Sequence, residues 1–286
     1  MQDGIDSVAR SALLDRALTE TVTEWGSSKW AELRRCPRAY KLRVVQNVRP
    51  RGGIDNNLAI GIAVHQVLAF VGLLSTRGIV ATESDMMEAL DQLPPGPPRS
   101  EAFRLLRGYF MRHGYTNAGL PEPLYDVEVL LEAAVGALPY TARVDAVTVG
   151  PTGLFTPWDH KTRGTTVPWG ASETWATRPQ FLGHAYLARA VWGDRWSRRV
   201  MVNAIVKTKT PGYERVELAI SDFAIDRWAE EQSTQAPRLL ELAASGCANY
   251  DSCAPEIGRR CQYFSYCHGN DSDRESMYET VEQEAR

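Results

Sequence analysis

Two aspartates stand fourteen residues apart: Asp145 in Tyr140-Thr-Ala-Arg-Val-Asp-Ala-Val, and Asp159 in Leu154-Phe-Thr-Pro-Trp-Asp-His-Lys-Thr, with Lys161 two residues further on. Both stretches are rich in β-branched and aromatic residues. Val149-Gly-Pro-Thr-Gly153 between them supplies the Gly and Pro of a tight connection, so the two are predicted to pair as a hairpin. Side chains alternate along a strand, which puts Asp159 and Lys161 on one face and Trp158 and His160 on the other. An Asp from each strand and a Lys two residues on can then converge on one point. Two carboxylates suit a hard divalent cation, and an ammonium beside them can position a water and stabilise charge developing at phosphorus. The chemistry expected is metal-assisted hydrolysis of a phosphodiester.

The elements that must position these residues follow from periodicity. Ser28 can cap a short helix through Arg35, and Pro37 fits the first turn of a second helix to about Val45, leaving Cys36 at the junction. A helix from Asn57 to Leu74 places Gly61, His65, Leu68 and Gly72 on one stripe, so His65 is expected to face inward. Helices are predicted over Glu83 to Leu93 and Glu101 to Met111, with the stiff Pro94-Pro-Gly-Pro-Pro98 between them. From Leu124 the period shortens to two, giving strands over 124–131, 140–149 and 154–161, with Glu128 in the first. A polar loop over 162–172 leads to an amphipathic helix from about Glu173 to Trp192, with Gln180, His184, Leu187 and Val191 on one stripe. Strands over 200–207 and 213–220 and a long helix over 222–244 complete a mixed α/β core. The domain reading is a flexible N-terminus over 1–26, one domain over 27–268 and an acidic tail over 269–286. Within the domain, 27–120 is the helical part, 121–220 the sheet core and 221–268 a helix with a cysteine segment.

With 286 residues and 44% hydrophobic content, the chain can bury a substantial core. The longest uninterrupted apolar stretch is Val67 to Leu74, too short to span a bilayer, and the polar start does not read as a signal peptide; no membrane partner and a cytoplasmic location are expected. The net charge of -3 gives no global attraction to nucleic acid. Charge is nonetheless concentrated: Lys29, Arg34, Arg35, Arg38, Lys41, Arg43, Arg49 and Arg51 stand against the single acid Glu32, and six basic residues between 195 and 215 against Glu214. Such segments are either solvated faces or a local phosphate track; Trp30, Tyr40 and Cys36 within the first favour the track. Trp30, Trp158, Trp169, Trp175, Trp192 and Trp228 are expected to pack in the core or at its rim.

Five cysteines in a chain expected in a reducing compartment point to metal ligation or burial, not disulfides. Cys253-x7-Cys261-x5-Cys267 lies where no helix or strand is evident, so something else must hold it. Four thiolates around an iron-sulfur cluster or zinc would do so, with the fourth from distant Cys36. Spacing alone separates the two poorly. Cys247 competes as fourth ligand by proximity, but Gly246-Cys247-Ala248 reads as a helix end.

In this order the motifs resemble the RecB-like exonucleases of the PD-(D/E)XK superfamily, in the iron-sulfur branch that includes AddB and the CRISPR-associated exonucleases. Ser27-Ser-Lys-Trp-Ala-Glu-Leu-Arg-Arg-Cys36 is similar to the family's opening helix and first cluster cysteine, and Gly61-Ile-Ala-Val-His65 to its histidine helix. Arg143-Val-Asp145 and Asp159-His160-Lys161 resemble the two core motifs, Pro179-Gln180-Phe-Leu-Gly-His-Ala-Tyr186 the glutamine motif, and the last three cysteines the cluster-closing group. The resemblance implies a restriction-endonuclease-like mixed sheet flanked by helices, with an N-terminal helical region and a C-terminal cluster segment. It further implies that His65, Asp145, Asp159 and the His160 carbonyl bind Mg or Mn, with Glu128 a further acidic candidate. Lys161 would orient the attacking water and Gln180 would position Lys161 or the phosphate. Cys36, Cys253, Cys261 and Cys267 would hold a 4Fe-4S cluster. The chain departs from the family in having Asp159 where Glu is common, His184 where Tyr often follows the glutamine, and seven residues between Cys253 and Cys261.

The function expected is a DNA exonuclease working on single-stranded ends, with Arg34, Arg35 and Lys41 guiding the strand and a helicase, recombination or CRISPR protein as partner. The alternatives are a non-catalytic DNA-binding or adaptor module with a vestigial site, and a zinc-stapled endonuclease.

Overall fold

A computed structural model describes residues 26–52, 55–136, 138–249, 253 and 261–281. The expected flexible N-terminus, apart from Gly26, lies outside these, as do 254–260 between the cysteines and the last residues of the acidic tail. In chain order the helices are α1 (Ser27–Arg35), α2 (Pro37–Tyr40, continued by a π-helical turn Lys41–Val45), α3 (Asn56–Thr76), α4 (Glu83–Asp91), α5 (Pro97–His113), α6 (Ala171–Ala176), α7 (Pro179–Trp192), α8 (Asp222–Ala244), α9 (Phe264–His268) and α10 (Asp271–Met277). The strands are β1 (Val48–Pro50), β2 (Leu124–Val135), β3 (Leu138–Val149), β4 (Phe155–Arg163), β5 (Arg199–Val206), β6 (Gly212–Ala219) and β7 (Tyr278–Thr280). The chain divides into two units, one built around Asp55–Ala133 and Thr141–Asp226, the other from Trp25–Ile54, Ala134–Tyr140 and Arg227–Arg286.

In the first unit a five-stranded sheet runs in the order β2-β3-β4-β5-β6. β3 and β4 form the expected antiparallel hairpin, its turn closed by the Gly153 N–H on the Gly150 carbonyl at 2.9 Å. β5 then lies parallel to β4, which requires the crossover that α6 and α7 supply, and β6 returns antiparallel. The one amphipathic helix expected from Glu173 to Trp192 is two: Pro179 cannot continue a helix, Arg178 before it is extended (φ -74°, ψ 137°), and α7 starts with Pro179 in its first turn.

α3 starts where the Asp55 side chain accepts from the Asn57 N–H at 2.7 Å. Its Val64, Val67, Phe70, Val71 and Leu74 are buried among Met86 and Leu90 of α4, Leu105, Leu106 and Phe110 of α5, and Val127 of β2. By length and composition alone α3 would pass for a membrane span, which inspection of uninterrupted apolar runs does not register. With more than half of it buried inside the fold, it is the unit's core helix. Gly72 lets β2 approach: a Cβ there would stand 2.4 Å from Val127 Cγ1.

In the second unit, Cys36, Ala39, Leu42, Val48, Cys261, Tyr263 and Tyr278 form one buried cluster, and Trp30, Leu33, Tyr40, Ala236 and Ala243 another. Residues 271–280, expected as tail, instead form α10, capped by Asn270, and β7, which pairs antiparallel with β1 in the register Val48↔Thr280. α8 ends in a Schellman turn, with Gly246 at φ 75° donating to the Ala243 carbonyl and Cys247 to that of Leu242. Cys247 is thus at a helix end, and exposed.

Candidate active site

The hairpin register pairs Ala146 with Trp158, so the next residue along each strand is Asp145 and Asp159. The His160 N–H donates to Asp145 Oδ2 at 2.5 Å, tying the two motifs together. On the opposite face Trp158 is pinned by its Nε1–H on Thr148 Oγ1 at 2.9 Å. Lys161 Nζ donates to Asp159 Oδ1 at 3.0 Å and lies 2.8 Å from Oδ2. Gln180, from the first turn of α7, donates through Nε2 to the same Oδ1 at 2.7 Å. Its amide N–H thus meets the Asp159 carboxylate, where the resemblance implied that Gln180 positions Lys161 or the phosphate.

His65 of α3 places Nδ1 3.1 Å from Asp145 Oδ1 and stands edge-on to the His160 ring, with centroids 6.0 Å apart. A carboxylate can only accept, so Nδ1 carries the proton and Nε2 is the nitrogen left for a ligand. His65 is about a third exposed (31%), so the site opens to solvent at the imidazole while Asp159, at 5%, is recessed.

Burial alone would lower the His65 imidazole, but the bonded Asp145 carboxylate reverses this and raises it to about 9. Burial would likewise raise the Asp145 carboxyl, yet the charge and hydrogen bond of His65, joined by His160, hold it well below the usual carboxylate range. Asp159 goes the other way: burial, opposed by Lys161 and reinforced by Asp145, raises it to about 6. The two carboxylates, side by side, have ionisations pushed apart, Asp159 up chiefly by burial and Asp145 down by its hydrogen-bonded neighbours. Asp159 Oδ2 is recessed and faces the Lys161 ammonium at 2.8 Å. A hard divalent cation fits this donor set of carboxylate oxygens, imidazole and carbonyl. Among the described residues no three His, Cys, Asp or Glu side chains lie close enough to share one ion as they stand. The reason is visible: Asp145 is turned onto His65 and the His160 N–H, and Asp159 onto Lys161 and Gln180.

Glu128, the further acidic candidate, lies on the neighbouring strand β2. It sits at a left-handed backbone position (φ 51°) in β2, and its carboxylate pairs with Arg143 at 4.0 Å. His184, one turn after Gln180, is buried with an unpartnered Nδ1 and is lowered to about 4, chiefly by burial, so it is neutral. Leu187 on the same stripe is buried, but Val191 is exposed. The sequence reading passed over Asn203, whose Nδ2 contacts His160 Nδ1 at 3.0 Å and donates to the Tyr109 hydroxyl at 3.1 Å, fixing the His160 ring on the far face of β4. A polar residue within Val200-Met-Val-Asn-Ala-Ile-Val was the available signal. A separate cleft of about 270 Å³ beside the β3–β4 turn is ruled by internal ion pairs, Arg199 meeting Glu122 at 2.9 Å and Glu217 at 3.2 Å.

The residues expected to guide DNA lie in the second unit. Lys41 Nζ caps α8 by donating to the Ala244 carbonyl at 2.9 Å, Arg35 lies 3.6 Å from Glu32, and Arg34 is exposed. Much of this basic segment is thus engaged within its own unit. Cys36, Cys253 and Cys261 are buried and Cys267 half-buried, all as thiols. Asn249 links two of them: its N–H donates to Cys36 Sγ at 3.5 Å and its carbonyl faces Cys253 Sγ at 3.6 Å. The Cys261 N–H donates to the Cys253 carbonyl at 2.9 Å. Burial raises Cys253 and Cys267, and neighbouring cysteines add to the rise in both, but among the described residues no three cysteines lie close enough to share one ion as they stand.

Residues 24–268 match the PD-(D/E)XK nuclease superfamily. No curated protein matches the chain. Among solved structures, a crystal structure from Eubacterium rectale named "Putative exonuclease" is similar in fold, with a TM-score of 0.52 at 9% identity over 93% of this chain and 98% of that one. SSO0001 aligns over 82% of this chain and 87% of its own at 15% identity, with a TM-score of 0.30 that carries no argument. The five-stranded mixed sheet flanked by helices is restriction-endonuclease-like. With an Asp from each strand of the hairpin, a Lys two residues on, and the family match spanning most of its length, the chain belongs to the PD-(D/E)XK nuclease superfamily.

Proposed function

We propose that this protein is a divalent-metal-dependent DNA exonuclease acting at single-stranded ends, its second unit held by a 4Fe-4S cluster on Cys36, Cys253, Cys261 and Cys267. The observation that carries the catalytic part is the Asp159 carboxylate. One of its oxygens accepts from both Lys161 and Gln180, and the other lies 2.8 Å from the Lys161 ammonium with Asp145 alongside. Asp145, Asp159 and His65, with the His160 carbonyl, would hold Mg or Mn, which when bound supplies Lewis-acid polarisation of a phosphodiester oxygen. Lys161 supplies N–H donors to orient a water and a positive charge to meet that developing on the phosphate oxygens. Gln180 holds Asp159 in place by donating to it. Neutral His160 keeps its ring on the far face through Asn203, so its backbone, not its imidazole, serves the site.

Exonuclease action is supported by the likeness to the Eubacterium rectale protein of that name. Single-strand preference is supported by the recession of Asp159, which a flexible strand reaches more readily than a stiff duplex. The cluster is supported by the burial of Cys36, Cys253 and Cys261 in one unit with half-buried Cys267, and by Asn249, which contacts both Cys36 and Cys253. Such thiols survive in a reducing compartment, in keeping with a cytoplasmic location.

The test is anaerobic purification followed by a nuclease assay on end-labelled linear and covalently closed single-stranded DNA, with Mn or Mg and with chelator. Metal-dependent shortening of the linear strand only is expected, from a brown protein with about four iron atoms. Cutting of closed circles would overturn the exonuclease assignment, and stoichiometric zinc without iron would overturn the cluster.

A further inference from the structure

Trp169 is the most conspicuous side chain outside the site, 102% exposed although tryptophan is rarely left in water. It sits at the tip of a turn in which the Ala171 N–H donates to the Pro168 carbonyl at 3.1 Å. Gly170 follows Trp169 in a left-handed conformation (φ 72°, ψ 22°) that the third position of a type II turn requires. The indole is therefore held out by a closed turn and not by a loose loop. The expectation that this tryptophan packs at the core or rim is overturned, whereas Trp30, Trp158, Trp175 and Trp228 are buried as expected.

The loop that carries it leaves directly from the catalytic strand. Asp159, Lys161 and Arg163 alternate onto one face of β4, and Gly164 follows. On one side, Gly61 of α3 packs against Thr162, a Cβ there lying 3.1 Å from Thr162 Oγ1, one helical turn before His65. On the other, the Arg163 guanidinium lies 5.1 Å from the Trp175 ring and Arg178 lies 5.8 Å from the same ring. Trp175 stacks on Phe181 at 6.3 Å, and Lys161 Nζ is 5.8 Å from the Phe181 ring. A continuous line thus runs from the reacting ammonium to two guanidinium groups at the root of the Trp169 turn. Neither guanidinium has a carboxylate partner among the described residues, and Arg163 Nε is buried without a hydrogen bond.

We propose that Trp169 is a base-stacking platform and that Arg163 and Arg178 hold the adjoining phosphates, together gripping the single strand next to the site. An exposed indole and guanidinium groups without carboxylate partners, both on the chain that leaves the catalytic strand, suit a flexible strand: bases stack irrespective of sequence, and phosphates are neutralised by guanidinium. A duplex offers no unstacked base to the indole. This inference rests on the proposed function, because it supplies the strand that Lys161 and its neighbours would cut.

The experiment is fluorescence anisotropy of the full chain with labelled oligothymidine, and with an oligomer of equal length carrying abasic sites, in chelator so that no cleavage intervenes. The parent should bind the base-bearing strand more tightly than the abasic one. Trp169→Ala should weaken binding to the base-bearing strand about tenfold or more and erase that discrimination, and Trp169→Phe should restore part of both. Arg163→Gln and Arg178→Gln should each reduce the slope of log Kd against log salt by about 0.7, while Trp169→Ala leaves the slope unchanged. The turn is on the surface, so a thermal melt of Trp169→Ala should match the parent and exclude misfolding as the cause. If Trp169→Ala binds both strands as the parent does, the platform does not exist, although the nuclease reading stands. If the parent binds neither strand, this inference and the proposed function fall together.

Discussion

In the first unit the reactive groups ride on neighbouring strands, whereas in the second the cysteines come from segments far apart in the chain. Asp145, Asp159 and Lys161 need only the β3–β4 register and the alternation of side chains to meet. Cys36 has to find Cys253, Cys261 and Cys267 from the other end of the chain, with Asn249 and a few aromatic rings to steady the meeting. The backbone ladder fixes the first arrangement before any ligand arrives. The second is expected to depend on the cluster proposed for the sulfurs, which would join segments so distant in sequence. Damage should therefore be local in one unit and global in the other.

The largest effect should come from Asp145→Ala or Asp159→Ala, which remove negative charge from the cation site. Either should abolish cleavage and weaken Mn binding together, with the thermal midpoint little changed, in calorimetric titration and end-labelled DNA assays. Retained cleavage would mean the carboxylates serve the hairpin and not the reaction. Next in size, Cys36→Ala, Cys253→Ala, Cys261→Ala or Cys267→Ala should lose the brown colour and most soluble protein, while Cys247→Ala, at an exposed helix end, keeps both. A colourless Cys247→Ala protein would move the fourth ligand.

A smaller effect sharpens the contrast from the first unit. Gly72→Ala forces a Cβ to 2.4 Å from Val127 Cγ1 and should cost about 1–3 kcal/mol in urea unfolding, without loss of iron. The smallest is Lys41→Met, which removes a side-chain cap from the end of α8 and should cost at most about 1 kcal/mol. Its single-stranded DNA binding should keep the parental salt slope, because the ammonium is spent on a helix end. A flatter slope would return Lys41 to the DNA track.

Legibility in the sequence followed the same division. The hairpin, its aspartates and Lys161 could be read because a period of two and a Gly-Pro turn are local signals, and His65 because a helical stripe pointed it inward. The partner of Gln180 could not, since its choice between Asp159 and Lys161 depends on how α7 sits after the break at Pro179. β1 and β7 could not either: each is three residues long, and they pair across more than two hundred residues of chain. The left-handed backbone of Glu128 and its approach to Arg143 at 4.0 Å carry no local sequence signal either. Trp169 looked like packing because tryptophan usually is, and only the turn at Gly170 shows it held out.

The most direct test of metal-assisted hydrolysis at this hairpin is Lys161→Ala, measured by Mn titration calorimetry beside the rate of cleavage of end-labelled single-stranded DNA. The Lys161 ammonium lies 2.8 Å from an Asp159 oxygen, so its charge opposes cation binding while serving the reaction. The variant should bind Mn at least as tightly as the parent and cleave about a hundredfold or more slowly. Cleavage at the parental rate would contradict this, reducing Asp159 and Lys161 to an ion pair on a strand that does no chemistry.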